Sequence, residues 1–405
     1  MFKVFKKWLK RLGWFLFYLI IALNLFIVLS GRFYLYKGVY STYLRGESGP
    51  TIYDFDKFHE VKVEKSKTTV PWKFDLTENK LSKSDLSYIE KLNSTSFLVI
   101  KNDKVIFEKY WGEHHPTTIS NSFSAAKTIV SLLVGFAIED GKIKSLDDKV
   151  CKYLKHFEGE GKENITIRHL LMMASGLDWV ESGKNPLSEN AESYYGWDLW
   201  NLVHRQRVAT EPGKLFFYQS GNSQLLGFIV EKATGKSLNE YASEKLWKPI
   251  GAESDAFWSL DRENGDEKAF CCLYATTRDF ARIGKLLNNH GKWNDKQVIP
   301  ADFFDELIKN PKMNTEEGVP NTRYGLHIWT YHENGKTVIY CRGIKGQYII
   351  AVPEEQLIIV RTGHKRADDY EIPKNIKHPS QAMEEKVGHP GDLFEYLRIA
   401  RGLVK

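Results

Sequence analysis

A serine and a lysine three residues apart give this chain its clearest chemistry. Ser124-Ala125-Ala126-Lys127 opens an apolar stretch, residues 124–140 (SAAKTIVSLLVGFAIED), that reads as a helix ending at Gly141. On a helix, positions i and i+3 share a face, so the lysine amine can reach the serine hydroxyl and assist its deprotonation. The helix N-terminus adds free N–H groups and a positive dipole end where negative charge would develop. A weak nucleophile beside an activating base is what covalent catalysis needs. Ser124 is the only serine in the chain with lysine at i+3. The competing reading of the pair is structural: Ser124 as a helix cap and Lys127 solvated.

A second element lies downstream in EPGKLFFYQSGNSQLLGFIV, residues 211–230. Tyr218 stands just before a helix, read over residues 222–235 with Gly235 as its C-cap. A nearby lysine cation would make the phenol a usable proton shuttle; a buried structural tyrosine is the alternative.

The elements that must position these groups can be read around them. Residues 96–111 form two apolar runs about Asn102-Asp103, a hairpin signal. Residues 165–175 and 279–289 read as further helices, and 338–341, 347–352 and 357–361 as strands. Strands at both ends with helices between them predict an α+β domain, an antiparallel sheet with a helical region, over residues 71–405. Residues 32–70 are polar, charged and without clear periodicity, and read as a stalk.

At the N-terminus, residues 12–31 (LGWFLFYLIIALNLFIVLSG) hold no charge. As a helix they span about 30 Å, the thickness of a bilayer core. Of the chain's six excess positive charges, five (Lys3, Lys6, Lys7, Lys10 and Arg11) precede this run, with no acidic residue among residues 1–31. Such flanks predict a single-pass transmembrane helix with a cytoplasmic N-terminus. In a bacterium this puts the body on the periplasmic side of the inner membrane. A cleaved signal peptide is the competing reading, for which Val28-Leu29-Ser30 is a poor cleavage site. The body is almost neutral, which removes the main support for nucleic-acid binding. Cys151, Cys271, Cys272 and Cys341 show no metal spacing, and the pair Cys271-Cys272 reads as packing. His114-His115 lacks a third ligand at zinc spacing. Neither a metal nor a cofactor is expected.

Together these stretches resemble the serine hydrolases of the class C β-lactamase and penicillin-binding-protein-like superfamily. The matching segments are SFSAAKTIVSLLVGFAIEDGKI, ITIRHLLMMASGLDW, EPGKLFFYQSGNSQLLGFIVEKATGKSL and GIKGQYIIAVPEEQLIIV. Ser-x-x-Lys is a signature of that group. The subgroup they look most like contains the 6-aminohexanoate-dimer hydrolases and related esterases. The resemblance implies an all-helical subdomain beside the sheet, Ser124 as acylated nucleophile, Lys127 as its base partner and Tyr218 as proton carrier to the leaving group. It also implies an oxyanion hole of two backbone N–H groups, those of Ser124 and, by our choice, Ile344.

Two departures bear on the substrate. Where β-lactamases carry Tyr-x-Asn, this chain has Tyr218-Gln219-Ser220; where they carry Lys-Thr-Gly, it has Cys341-Arg342-Gly343. Arg361-Thr362-Gly363 lies one strand too late to substitute. Both departures favour small amides, esters or short peptides over β-lactams, with a D-amino-acid peptidase or β-lactamase as one alternative and a silent binding protein on the same fold as another. Ser220, Arg342 and Trp179 are candidate substrate contacts; for Arg342 a solvated strand end, and for Trp179 core packing, are the competing readings.

Overall fold

The structure, a computed structural model, describes residues 2–76, 80–376 and 378–404. Its centre is a seven-stranded sheet in the order Trp329–Glu333, Lys336–Gly343, Gln347–Val352, Leu357–Gly363, Ser94–Lys101, Lys104–Tyr110 and Lys73–Phe74. Every neighbouring pair is antiparallel except the last. The hairpin expected at residues 96–111 is present, and Asn102 and Asp103 both take positive φ (49° and 61°) at its turn, the backbone that suits the twist of the flanking strands. This is the mixed α+β fold expected from the sequence.

The strands are apolar on both sides, and alternation sorts them. Phe97, Val99, Tyr340, Ile350 and Ile359 face one core with the C-terminal helix Gly391–Gly402. Leu98, Ile100, Ile339, Ile349 and Ile358 face a second, larger core with the helix Thr277–Asn288 and the helical region. A one-residue slip would exchange every side chain between the two cores, so burial fixes the register. In the helical region, Ala126–Glu139 packs on Ser220–Thr234. Gly235 ends the latter with φ 71°, the left-handed cap expected of it. The helix expected at residues 165–175 is shorter, Ile167–Leu171, because Met173 and Gly176 both turn to positive φ.

Residues 32–70 are not a loose stalk. Tyr34 is buried in a short helix, Tyr34–Ser41. Buried Asp54 accepts from the Tyr194 hydroxyl at 2.6 Å. His59–Val63 joins Ala256–Leu260, Leu273–Thr276 and Ile119–Asn121 in a four-stranded sheet. The partner strand of His59–Val63 lies almost two hundred residues away, so no local pattern announces the pairing. The apolar helix at the N-terminus runs Phe2–Ser30, has no buried residue and is long and apolar enough to cross a membrane.

Arg361 has a structural role. Its guanidinium is fully buried and donates to five acceptors: Ser94 Oγ (2.9 Å) and the carbonyls of Leu92 (2.6 Å), Lys345 (2.9 Å), Gly346 (2.7 Å) and Lys365 (2.8 Å). It thereby clamps the turn Ile344–Gly346, which borders the cavity described below. Arg361→Met leaves those acceptors buried and unmet. It is expected to cost about 3–5 kcal/mol, read as a large fall in the thermal midpoint; an unchanged midpoint would contradict the clamp.

Candidate active site

Ser124 sits in a single 3-10 turn, Phe123–Ala125, which runs directly into the helix Ala126–Glu139. The residue before it, Phe123, has φ 45°, an unfavourable backbone for a bulky side chain. Its surroundings impose the conformation. Asn121 Oδ1 accepts from the Phe123 N–H at 2.8 Å, and the Ser122 N–H donates to the Leu273 carbonyl at 2.9 Å. Strain of this kind persists only where neighbours over-determine it. Here it turns Ser124 to the head of the helix, half-buried at the wall of a cavity of about 650 Å³. That volume suits a small-molecule ligand.

Lys127 is the most constrained polar group of the site. It is only 1% exposed. Its Nζ donates to Ser124 Oγ at 3.1 Å, Ser220 Oγ at 3.1 Å and the Phe270 carbonyl at 2.7 Å. It also lies 5.2 Å from the centre of the Tyr218 ring. The structure thus brings Ser124, Lys127 and Tyr218 together, although Tyr218 is ninety residues further along the chain. Tyr218 is held by Trp329, stacked at 5.9 Å, and by Tyr324, edge-on at 5.9 Å.

The strand end expected to complete an oxyanion hole abuts the nucleophile turn. A Cβ on Gly343 would stand 2.2 Å from the Ser122 carbonyl oxygen, so only glycine permits the approach. Ile344 follows it on the cavity wall. Arg342 also lines the cavity, but it is no freely solvated strand end. Its guanidinium stacks 4.0 Å over Trp329 and lies 3.6 Å from Asp369.

Two of the expected substrate contacts have other work. Trp179 does not line the cavity: it is 1% exposed, and its ring fills the space where a Cβ on Gly221 would stand, 2.6 Å away. Ser220 reaches the cavity wall, but its hydroxyl accepts from Lys127 and donates to Glu181 Oε1 at 2.7 Å. Its capacity is taken up by protein, which leaves little for a ligand. Glu181 is the residue the sequence reading missed. Its carboxylate also accepts from the Ser220 N–H (2.7 Å) and from Trp179 Nε1 (2.8 Å), and so supports the start of the helix Ser220–Thr234. The only trace of it in the sequence was its place two residues after Trp179.

His327 was missed as well. It is fully buried and pins the two helices of the site. Its carbonyl accepts from Thr128 Oγ1 (2.7 Å), and its ring bonds Leu171 O (2.8 Å) and Ser223 Oγ (2.8 Å). A carbonyl can only accept, so Nδ1 carries the proton and Nε2 accepts from Ser223. Finally, Cys271 and Cys272 are not merely packed: a disulfide joins them directly after Phe270, whose carbonyl holds Lys127. Among the described residues, no group of three or more His, Cys, Asp or Glu side chains is arranged to hold a metal.

Residues 87–375 match the β-lactamase family model. The chain belongs to the β-lactamase family. It is similar to the 6-aminohexanoate-dimer hydrolase of Paenarthrobacter ureafaciens, with 25% identity over 67% of this chain and 73% of that protein. Among solved structures, a 6-aminohexanoate-dimer hydrolase-like protein from Bacillus anthracis superposes with a TM-score of 0.72 at 20% identity, over 87% of this chain and 93% of that one. A family VIII carboxylesterase superposes with a TM-score of 0.59 at 18% identity, over 79% and 96%. The β-lactamase-like fold is therefore shared with amide and ester hydrolases.

The state of His327 makes acid stability a test of the packing. Burial, with the charge of Lys127 nearby, pushes its pKa down to about 3, against about 6.5 for an exposed histidine. The unfolded chain takes up a proton below about pH 6.5 that the folded chain refuses, so this stability is present above pH 6.5 and is lost as pH falls toward 3. At pH 5 the loss is about 2 kcal/mol. Urea unfolding at pH 7 and pH 5 should show His327→Gln losing less stability on acidification than wild type, by about that amount. Equal losses would contradict the assignment.

Proposed function

We propose that the protein is a membrane-anchored, extracytoplasmic serine hydrolase that cleaves small amides or esters, short peptides included, through an acyl-enzyme on Ser124. The observation that carries this reading is the buried Lys127 amine, 3.1 Å from Ser124 Oγ with its other contacts fixed. The amide hydrolase among its relatives and the carboxylesterase that shares its fold support the bond class. The exposed apolar helix Phe2–Ser30 and its basic start support the anchor.

The hydrogen bonds suggest how the nucleophile is prepared. Lys127 Nζ donates to the Phe270 carbonyl, to Ser220 Oγ, whose own hydrogen is committed to Glu181, and to Ser124 Oγ. An amine that takes the serine's proton does so through a lone pair. The bonds to Phe270 and Ser220 hold two of its hydrogens, so once the hydrogen shared with Ser124 has left, the lone pair stands at Ser124 Oγ. Ser124 Oγ then bonds the substrate carbonyl carbon and its proton passes to Lys127. The oxyanion is received by the N–H of Ser124 and, at the strand end, that of Ile344. Tyr218 passes a proton to the departing amine or alcohol, the bond to it breaks, and water later releases the acyl group by the reverse sequence. Because the Ser220 hydroxyl is consumed by this work, it does not supply the contact that an asparagine gives at this place in β-lactamases.

A fluorophosphonate probe is expected to label wild-type protein on Ser124 and to leave Ser124→Ala unlabelled. Equal labelling of both would overturn the proposal. Glu181→Gln exchanges one acceptor oxygen for a donor and lets the Ser220 hydroxyl reverse. The expected result is a fall in kcat of about ten- to a hundredfold with KM little changed, and no further fall when Glu181→Gln is added to Ser220→Ala. A purely structural Glu181 would lower the thermal midpoint and give additive losses.

A further inference from the structure

One wall of the cavity comes from outside the catalytic elements. Tyr34, Leu35, Gly38 and Val39, from the short helix Tyr34–Ser41, and Tyr43 beyond it line the same space as Ser124 and Tyr218. That helix begins four residues after the apolar helix ends at Ser30.

The geometry of this junction is fixed by hydrogen bonds. The Tyr36 hydroxyl donates to Asn24 Oδ1 at 2.6 Å, and Asn24 lies six residues inside the apolar helix. Arg32 donates to the Tyr34 hydroxyl (3.1 Å) and the Leu187 carbonyl (3.0 Å), and Tyr34 donates to the Pro186 carbonyl (3.0 Å). Pro186 belongs to the loop that begins at Glu181 and forms another part of the cavity wall. The end of the apolar helix and the rim of the cavity are thus one bonded unit.

Val39 and Tyr43 mark the mouth, for each lines the cavity and is also exposed, 46% and 69% respectively. Phe33, Tyr36, Tyr40 and Leu44, on the same stretch of chain, are exposed as well. Aromatic side chains within a few residues of a membrane span settle at the headgroup level. A water-borne substrate would gain nothing from an apolar sill that begins at the bilayer.

We propose that the substrate is a bilayer-resident amphiphile, an amide or ester whose long acyl chain crosses the sill at Val39 and Tyr43 while its scissile carbonyl reaches Ser124. This rests on the readings of the anchor and of Ser124 given above. The chemistry is unchanged: the acyl carbon exchanges its bond to the leaving oxygen or nitrogen for one to Ser124 Oγ, and water then takes the acyl group as a carboxylate.

The test uses the full chain in vesicles of phosphatidylcholine and phosphatidylglycerol, with p-nitrophenyl butyrate and p-nitrophenyl dodecanoate as substrates. Wild type should favour the dodecanoate in kcat/KM by at least about tenfold. The double variant Val39→Asp/Tyr43→Asp should lower that ratio at least about fivefold, and Val39→Ser/Tyr43→Ser provides the comparison where the charged pair does not fold. A preference for the butyrate, or the same ratio in wild type and variant, would overturn the inference. Turnover that survives Ser124→Ala would instead overturn the reading of the site, and this inference with it.

Discussion

A lysine amine closed off from water is the constraint on which the site depends. Removing Lys127 from solvent forfeits its hydration, so each of its hydrogens needs a fixed acceptor. The fold supplies three, from three distant parts of the chain: Ser124 from the nucleophile turn, Ser220 from the head of a second helix and Phe270 from the segment before the Cys271–Cys272 disulfide. Only when all three converge is the amine both satisfied and aimed. Much of the surrounding architecture serves that convergence. His327 ties the helices of Lys127 and Ser220 to each other, and Glu181 sets the direction of the Ser220 hydroxyl. Asn121 holds Phe123 in an unfavourable backbone so that Ser124 faces the amine.

The sheet provides the opposite jaw. Its strand Lys336–Gly343 reaches the nucleophile turn at a glycine that leaves no room for a side chain, and Arg361, two strands further in, fixes the turn that follows. A site built across a sheet edge and a helical region depends on the packing of both. This explains why residues with no reactive chemistry, such as His327 and Arg361, are buried deep and bonded on every side.

What could be read from the sequence follows from which interactions are local. The Ser124–Lys127 spacing, the hairpin about Asn102-Asp103, the Gly235 cap and the C-terminal strands were legible because each is set within a few residues. Tyr218 was legible by its place before a helix, and by resemblance. Residues 32–70 were not, since His59–Val63 finds its partner at Ala256–Leu260 and no nearby residue signals it. Glu181 and Ser220 were opaque for a related reason. A carboxylate in a polar loop gives no sign that a serine 39 positions later will take its oxygens, and Ser220 reads as a ligand contact until its partners are seen. Trp179 showed the converse: an aromatic beside a cleft proved to be the packing under it.

The same convergence joins the site to the N-terminus. Arg32 and Tyr34 bond the loop that begins at Glu181, so the geometry around Ser220 and Lys127 continues without a break to the end of the apolar helix. The central claim is nonetheless chemical: a covalent acyl group on Ser124, formed with the help of Lys127. Rapid mixing with a p-nitrophenyl ester, followed by acid quench and peptide mass analysis, tests it directly. The account predicts a burst of nitrophenol of one equivalent per chain and an acyl group on the peptide bearing Ser124, with both lost in Lys127→Ala. Turnover without any burst or adduct, or an adduct on another residue, would contradict it.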